Sequence, residues 1–402
     1  MVLAGLVVTT GSAQAVRSVR GFDGTTVKVA GLGIAAQFPN VPVGAKARIQ
    51  RFNDDNEIPG VKIQYVEFAD DKQDPATALS ESRRLVTQDG VFAIVGDVSQ
   101  SNPGDFFNQQ HVPYFGWAFD NTYCSAKPTT SLYGFGYNGC LVPNDPKVMP
   151  DAGGALYTYV SKLTGKQHPT AAVFSNDTES GKDSAQYQSS AYQGAGFDVV
   201  YAKGSVPPPP VSDYTPYVQQ LLTSDHGHAP DTIVCELSTD CIPIYAGLQA
   251  NNYKGTYQSP LYSDALLKPM SGSVASIQFN NLTENTPALT QMKADFNKVK
   301  PGAAIDSGGA TAYFSTDMFI QALKTAAKKG KSNITPEAVQ KAAANQTWQI
   351  KGAAGPTIYP GATQKSYSAC TTIVKDSGTS WDTVVPFTCS NKGYPVLKKF
   401  KS

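Results

Sequence analysis

The stretch that most constrains this chain runs from Val91 to Asn102, Val-Phe-Ala-Ile-Val-Gly-Asp-Val-Ser-Gln-Ser-Asn. Five apolar residues in a row, with branched Val91, Ile94 and Val95 and no turn former, predict a strand buried on both faces. The run breaks at Gly96 into short polar side chains and Pro103. In an open parallel sheet, ligands bind just beyond the carboxyl ends of the strands. Asp97, Ser99, Gln100 and Ser101 fall at that position. The same residues would also suit an ordinary strand-to-helix turn capped by Ser and Asp.

The arrangement recurs along the chain. Thr26 to Gly33 alternates before a glycine loop that carries Gln37 and Phe38, and Ala45, Ile49 and Phe52 follow at helical spacing. Val61, Ile63 and Tyr65 mark a second strand, and Asp74-Pro75 opens a helix as cap and first-turn proline. After the focal strand, Val112 to Phe115 is a short strand that exits through Gly116-Trp117-Ala118-Phe119-Asp120. Two aromatics beside a carboxylate suit a ligand wall; packing beneath a loop held by Cys124 and Cys140 is the alternative. Leu141 to Pro146, with two prolines, reads as a domain crossing.

A second series then starts. Strand 170–175 exits into Asn176 to Gly181, which includes Glu179 and Ser180. Strand 231–235 exits into Glu236-Leu237-Ser238-Thr239-Asp240-Cys241, and strand 257–262 exits into Ser263-Asp264, a second candidate crossing. Four consecutive prolines from Pro207 read as a rigid surface connection. The stripe Tyr313, Ile320, Leu323, Ala327 predicts a long helix, and 371–374 and 383–387 read as closing strands. Strand–helix alternation in two series predicts an α/β protein of two doubly wound units, in keeping with 402 residues.

The six cysteines fall as three close pairs. Fifteen pairings are possible, and the clustering favours Cys124–Cys140, Cys235–Cys241 and Cys370–Cys389. No pair has zinc-ribbon spacing, so disulfides in an oxidising compartment are expected over buried thiols. The first residues agree, because Val2 to Val8 resembles the apolar core of a signal peptide and Ala13-Gln14-Ala15 a cleavage site. Residues 1–21 are therefore expected to lie outside the fold. Leu3-Ala4-Gly5 also resembles a lipobox, but Leu6 stands where the lipidated Cys would be. No apolar run reaches the ~18 residues of a membrane span. The expectation is an exported, soluble, extracytoplasmic protein.

Charged residues make up 16% of the chain and the net charge is +1, so nucleic acid has no electrostatic footprint here. GxSxG, HExxH and Walker patterns are absent, and Asp225-His226-Gly227-His228 reads as a solvated turn. Catalysis, a cofactor and a metal are not expected.

In order and spacing, five pieces resemble the type I periplasmic solute-binding proteins of the branched-chain amino acid transporter group. They are the opening strand with its glycine loop, Val91–Ser101, Val112–Asp120, Asp177–Gly181 before Lys182, and Thr335–Ala344 followed by Gly355-Pro356. The resemblance implies two lobes joined by three crossings, with a ligand held between them. The expected crossings lie near 142–146, 263–267 and 360–366. They divide the chain into one lobe of 22–142 plus 267–362 and another of 143–266 plus 363–402. It also implies a small-molecule ligand, closure of the lobes around it, delivery to a membrane permease with an ATPase, and a monomer.

Carried over residue by residue, the family's ligand-gripping serine matches Gln100, with Ser99 just before it. Its backbone carbonyl and threonine match Ala118 and Asp120. The acid that pairs a ligand ammonium matches Asp240, the tyrosine before Gly181 is Ser180, and an aromatic of the first loop matches Phe38. With Trp117, Phe119, Glu179, Ser238 and Asp264 from the exit loops, these form the expected ligand set. Two acids, Asp120 and Asp240, argue against a simple α-amino acid, and the aromatics favour an aromatic or hydrophobic solute. A ligand-sensing subunit of a signalling system is the competing reading.

Overall fold

The computed structural model describes residues 19–119, 121–124, 132–141, 147–208, 210–236, 240–358, 369–390 and 392–396, with only the backbone at 179, 180, 358 and 369. Residues 1–18 of the signal-like segment and the expected crossings at 142–146 and 360–366 lie outside the described residues, whereas 19–21, expected outside the fold, are held to it, with Arg20 Nε donating to the Val91 carbonyl at 3.1 Å.

The first series is β1 (Thr26–Gly33), α1 (Val41–Asp54), β2 (Lys62–Asp70), α2 (Pro75–Thr87), β3 (Ala93–Val98), α3 (Gly104–Gln109), β4 (Tyr114–Gly116) and β5 (Gly134–Gly136). Its strands form one sheet in the order β2-β1-β3-β4-β5, parallel throughout. Every residue of β3 is buried, as a central parallel strand requires. The α2 start follows its sequence signal, for the Asp74 side chain accepts the Thr77 amide at 2.7 Å and Pro75 occupies the first turn.

The second series is β6 (Val148–Pro150), α4 (Gly154–Thr164), β7 (Thr170–Asn176), α5 (Glu179–Ala195), β8 (Asp198–Val206), α6 (Thr215–Leu222), β9 (Thr232–Cys235), α7 (Cys241–Ala250), β10 (Thr256–Ser259) and β11 (Val274–Ile277). There follow α8 (Pro287–Val299), α9 (Ser307–Ala327), α10 (Pro336–Ala344), β12 (Thr347–Ile350), β13 (Ala354–Ile358), β14 (Ala369–Asp376), β15 (Trp381–Ser390) and β16 (Gly393–Pro395). The second sheet runs β15-β14-β11-β10-β9-β7-β8, with β14 and β15 antiparallel at one edge. Two short antiparallel pairs, β12 with β13 and β16 with β6, complete the strands among the described residues.

Helices cover both faces of each sheet. One face of the first sheet packs on α1, α8, α9 and α10, the other on α2 and α3. In the second sheet, α4 and α5 cover one face and α6 and α7 the other. α9 is buried without a break from Ser307 to Ile320, so it is a core helix rather than an amphipathic one. Gly44 makes that possible, because a Cβ there would lie 2.0 Å from the Gly309 carbonyl oxygen. Two α1 arginines are carried into the same interface, each with a carboxylate. Arg48 Nε meets Asp317 Oδ1 at 2.6 Å and Arg51 Nη1 meets Asp295 Oδ2 at 2.8 Å.

Sheet pairing corrects the expected boundary at 266/267. β11 pairs in parallel with β10 and antiparallel with β14, so residues 274–277 belong with the second sheet rather than the first. The strand expected over 257–262 also ends at Ser259, because Pro260 has no amide proton to continue the ladder. The three cysteine pairs are bonded as the clustering favoured, Cys124–Cys140, Cys235–Cys241 and Cys370–Cys389.

Candidate ligand-binding site

The loop beyond β3 is drawn inward upon itself. Asp97 accepts the Ser99 amide through Oδ1 at 3.0 Å and the Tyr123 hydroxyl through Oδ2 at 2.6 Å. Ser99 Oγ donates to Asp71 Oδ2 at 2.5 Å and accepts the Ser101 amide at 3.1 Å. Burial pushes the Asp71 carboxyl upward, and the Ser99 bond opposes that shift. Ser99 therefore fixes the loop, while half-buried Gln100 accepts from Gln73 Nε2 at 3.3 Å and leaves its own Nε2 without a partner.

Beyond β4, Trp117 and Phe119 stack at 4.6 Å between centroids, and Phe38 of the first loop packs 6.0 and 5.9 Å from them. The sequence places two exposed-looking aromatics here; instead Trp117 and Phe119 are only 3% and 4% exposed, because each covers the other. The indole proton is satisfied across the two sheets, with Trp117 Nε1 donating to Gln278 Oε1 at 2.8 Å just past β11. Asn138 Nδ2 donates to the same oxygen at 2.7 Å, and Asn138 Oδ1 receives the amide of buried Ala118 at 3.4 Å.

Trp117 and Phe119 form one wall of a chamber between the sheets, a void of about 70 Å³. Its opposite wall consists of Gln188 and Tyr192 on α5, Glu236 just past β9, Gln258 on β10, and Gln278. The Tyr192 hydroxyl lies 3.2 Å from Glu236 Oε1 and 3.4 Å from Gln258 Oε1. Burial pushes the Glu236 carboxyl up to about 7, partly offset by the Tyr192 hydrogen bond. The Tyr192 phenol stands well above its ordinary range because of burial and the neighbouring Glu236. A second, more apolar hollow of about 250 Å³ has Phe38, Ile242, Leu261, Tyr262 and Leu266 among its lining residues.

The remaining expected residues divide. Asp240 is 1% exposed and lines neither space, since its Oδ2 accepts Asn176 Nδ2 at 3.0 Å and its Oδ1 the Tyr214 hydroxyl at 2.5 Å. Asp264 is exposed on a single 3-10 turn. Glu179 and Ser180 begin α5, where the Thr178 hydroxyl caps the Gly181 amide at 3.0 Å. Their side chains, Asp120 and Ser238 lie outside the described residues. The chamber residues Tyr192, Gln188, Gln258 and Gln278 were not singled out from sequence. Glu236 carried a usable signal as the first residue past a buried strand.

Comparison with known proteins follows the same lines. Residues 24–376 match the family described as periplasmic binding protein. The chain is a type I periplasmic binding protein. Its two doubly wound sheets, with exit loops converging between them, are the two lobes of that fold. Among solved structures, a fatty acid ABC transporter substrate-binding protein from Thermomonospora curvata is 17% identical, with 96% of this chain and 98% of that one covered and a TM-score of 0.71. A solute-binding protein from R. palustris in complex with 4-hydroxybenzoate is also 17% identical, covering 91% and 98%, with a TM-score of 0.68. A branched-chain amino acid transporter protein from Thermus thermophilus with bound valine is 15% identical, covering 91% and 97%, with a TM-score of 0.70. At such identities the likeness establishes the fold alone. No curated protein matches the chain by sequence. The family is extracytoplasmic, and the three disulfides of this periplasmic binding protein fit that setting.

Proposed function

We propose that this protein is the extracytoplasmic solute-binding component of an ABC importer. It captures a small organic ligand, aromatic, hydrophobic or amino-acid-like, by closing two lobes over it, and presents that ligand to a membrane permease driven by an ATPase. It works as a monomer and catalyses no reaction. The observation that carries this reading is the chamber itself, whose walls come from strand exits of both sheets. Neither sheet could enclose a solute alone. The lobe division that accompanies the reading follows the sheets and their covering helices: 22–141 with 279–358, and 147–277 with 369–396.

The test is to purify the protein from cells grown in rich medium, denature it and identify the released small molecule by mass spectrometry. One compound in near-stoichiometric amount is expected, and Trp117→Ala should release far less of it. Adding that compound back to the emptied protein should shrink its radius of gyration in X-ray scattering. Recovery of no compound, or of one that Trp117→Ala retains fully, counts against a ligand site in this chamber.

A further inference from the structure

Two acceptors of the chamber are short of a donor, Gln188 Oε1 and one of the pair Glu236 and Gln258. The Gln188 amide is oriented by its Nε2, which donates to the Leu141 carbonyl at 3.3 Å. Its Oε1 is then buried with no hydrogen-bond partner on a side chain only 7% exposed. A buried acceptor left unpaired in this way calls for a donor. The single Tyr192 proton lies between Glu236 Oε1 and Gln258 Oε1, so it can satisfy only one of them at a time. Gln278 Oε1 already takes two donors. Among the described lining residues there is no Lys, Arg or His, and Glu236 is the one carboxylate.

We propose that this chamber, if it is the ligand site proposed above, selects a flat aromatic ligand carrying N–H or O–H donors, neutral or cationic, and rejects carboxylates. The stacked Trp117 and Phe119 supply the apolar face for the ring. Donors on the ligand would satisfy Gln188 Oε1 and whichever of Glu236 and Gln258 lacks the Tyr192 proton. A carboxylate would instead offer no donor to Gln188 Oε1 and would bring a second negative charge beside Glu236, with no cation among the described lining residues to pair it. A cationic donor pairs with ionised Glu236, as charge-assisted hydrogen bonds favour.

The proposal can be tested with matched probes on one ring, benzamide, benzylamine and benzoate, and with the same three groups on an indole ring. Binding is measured by calorimetry at pH 7.5 to the ligand-stripped full chain. The amide and the amine should bind at least about tenfold tighter than the carboxylate on at least one ring. Glu236→Gln should remove most of the amine's advantage over the amide. The wild-type ranking needs no variant to fold. A carboxylate that binds as tightly as its amide overturns the selection but leaves the ligand site standing. Failure of every probe to bind overturns the selection. The ligand site falls with it only if Trp117→Ala also retains the co-purified compound.

Discussion

Trp117 and Gln278 join the two sheets by one half-buried hydrogen bond, 2.8 Å from indole Nε1 to carboxamide Oε1. Trp117 sits past β4 of the first sheet and Gln278 past β11 of the second. Because Asn138 Nδ2 uses the same oxygen, Gln278 holds two donors of the first lobe against the second. A cleft clasped in this way has little free volume, and the void of about 70 Å³ is small beside the ~300–1,000 Å³ of ligand pockets. With this clasp made, a ligand of ordinary size finds no room in the chamber until the lobes move apart.

Gln278→Leu should loosen that clasp. The substitution keeps side-chain volume and strands two buried donors, at about 1–3 kcal/mol each when they stay dry. The lobes can relieve this by separating and admitting water. The ligand-free variant should therefore show a larger radius of gyration and a lower melting temperature than wild type. Superimposable scattering curves would mean the bond does not hold the cleft shut.

Asp317→Ala should be among the most destabilising single changes. Asp317 Oδ1 meets buried Arg48 at 2.6 Å, and its Oδ2 accepts from Trp348 Nε1 at 3.0 Å and Gln321 Nε2 at 2.8 Å. Removing it leaves a guanidinium in the α1–α9 interface with Glu57 as its remaining partner. Breaking a buried pair from one side costs about 3–5 kcal/mol. Urea unfolding followed by circular dichroism measures this, and a loss below about 1 kcal/mol would show the site to be well hydrated.

Much of the fold could be read from the sequence because parallel strands announce themselves by composition. Val91 to Val95 needs no alternation to be recognised, and Asp74-Pro75 marks a helix start by chemistry alone. β11 escaped notice because four residues, Val-Ala-Ser-Ile, carry too little periodicity to separate from a loop. α8 was missed although Thr286-Pro287 repeats the cap signal, with the Thr286 hydroxyl accepting the Leu289 amide at 3.2 Å. The site was harder. Sequence order places Glu236 and Asp240 in one exit loop but does not say which carboxylate faces the chamber. That is decided by Asn176 and Tyr214, 64 and 26 positions away, which engage Asp240 and leave Glu236 on the chamber wall.

Gly44→Ala should test how closely α1 and α9 cross. A methyl group at position 44 would lie 2.0 Å from a main-chain oxygen at Gly309, so the backbone rather than a side chain must move. Ala ordinarily stabilises a helix interior by about 1 kcal/mol relative to Gly. Here the overlap reverses the sign, with an expected net loss of about 1–3 kcal/mol. A stabilised variant in the same urea assay would show that the helices separate without penalty.

The Glu236 carboxyl should give the protein a pH dependence that Glu236→Gln removes. Its ordinary value of 4.5 is raised to about 7 by burial in the folded protein. Below pH 4.5 the group is protonated in both states and contributes nothing. Between 4.5 and about 7 the unfolded chain has lost the proton while the folded chain keeps it. The unfolded state then binds fewer protons, so stability falls as pH rises. Above about 7 both states are ionised and the penalty is constant. A full titration step amounts to about 1.4 kcal/mol per pH unit, a ceiling that solvent reaching the half-buried carboxyl lowers. Tyr192 adds nothing in this range, because its phenol stays protonated. The melting-temperature advantage of Glu236→Gln over wild type should therefore grow from pH 5 to about 7.5 and then level off. Parallel curves for the two proteins across that range would place the carboxyl in open solvent and remove it from the chamber wall.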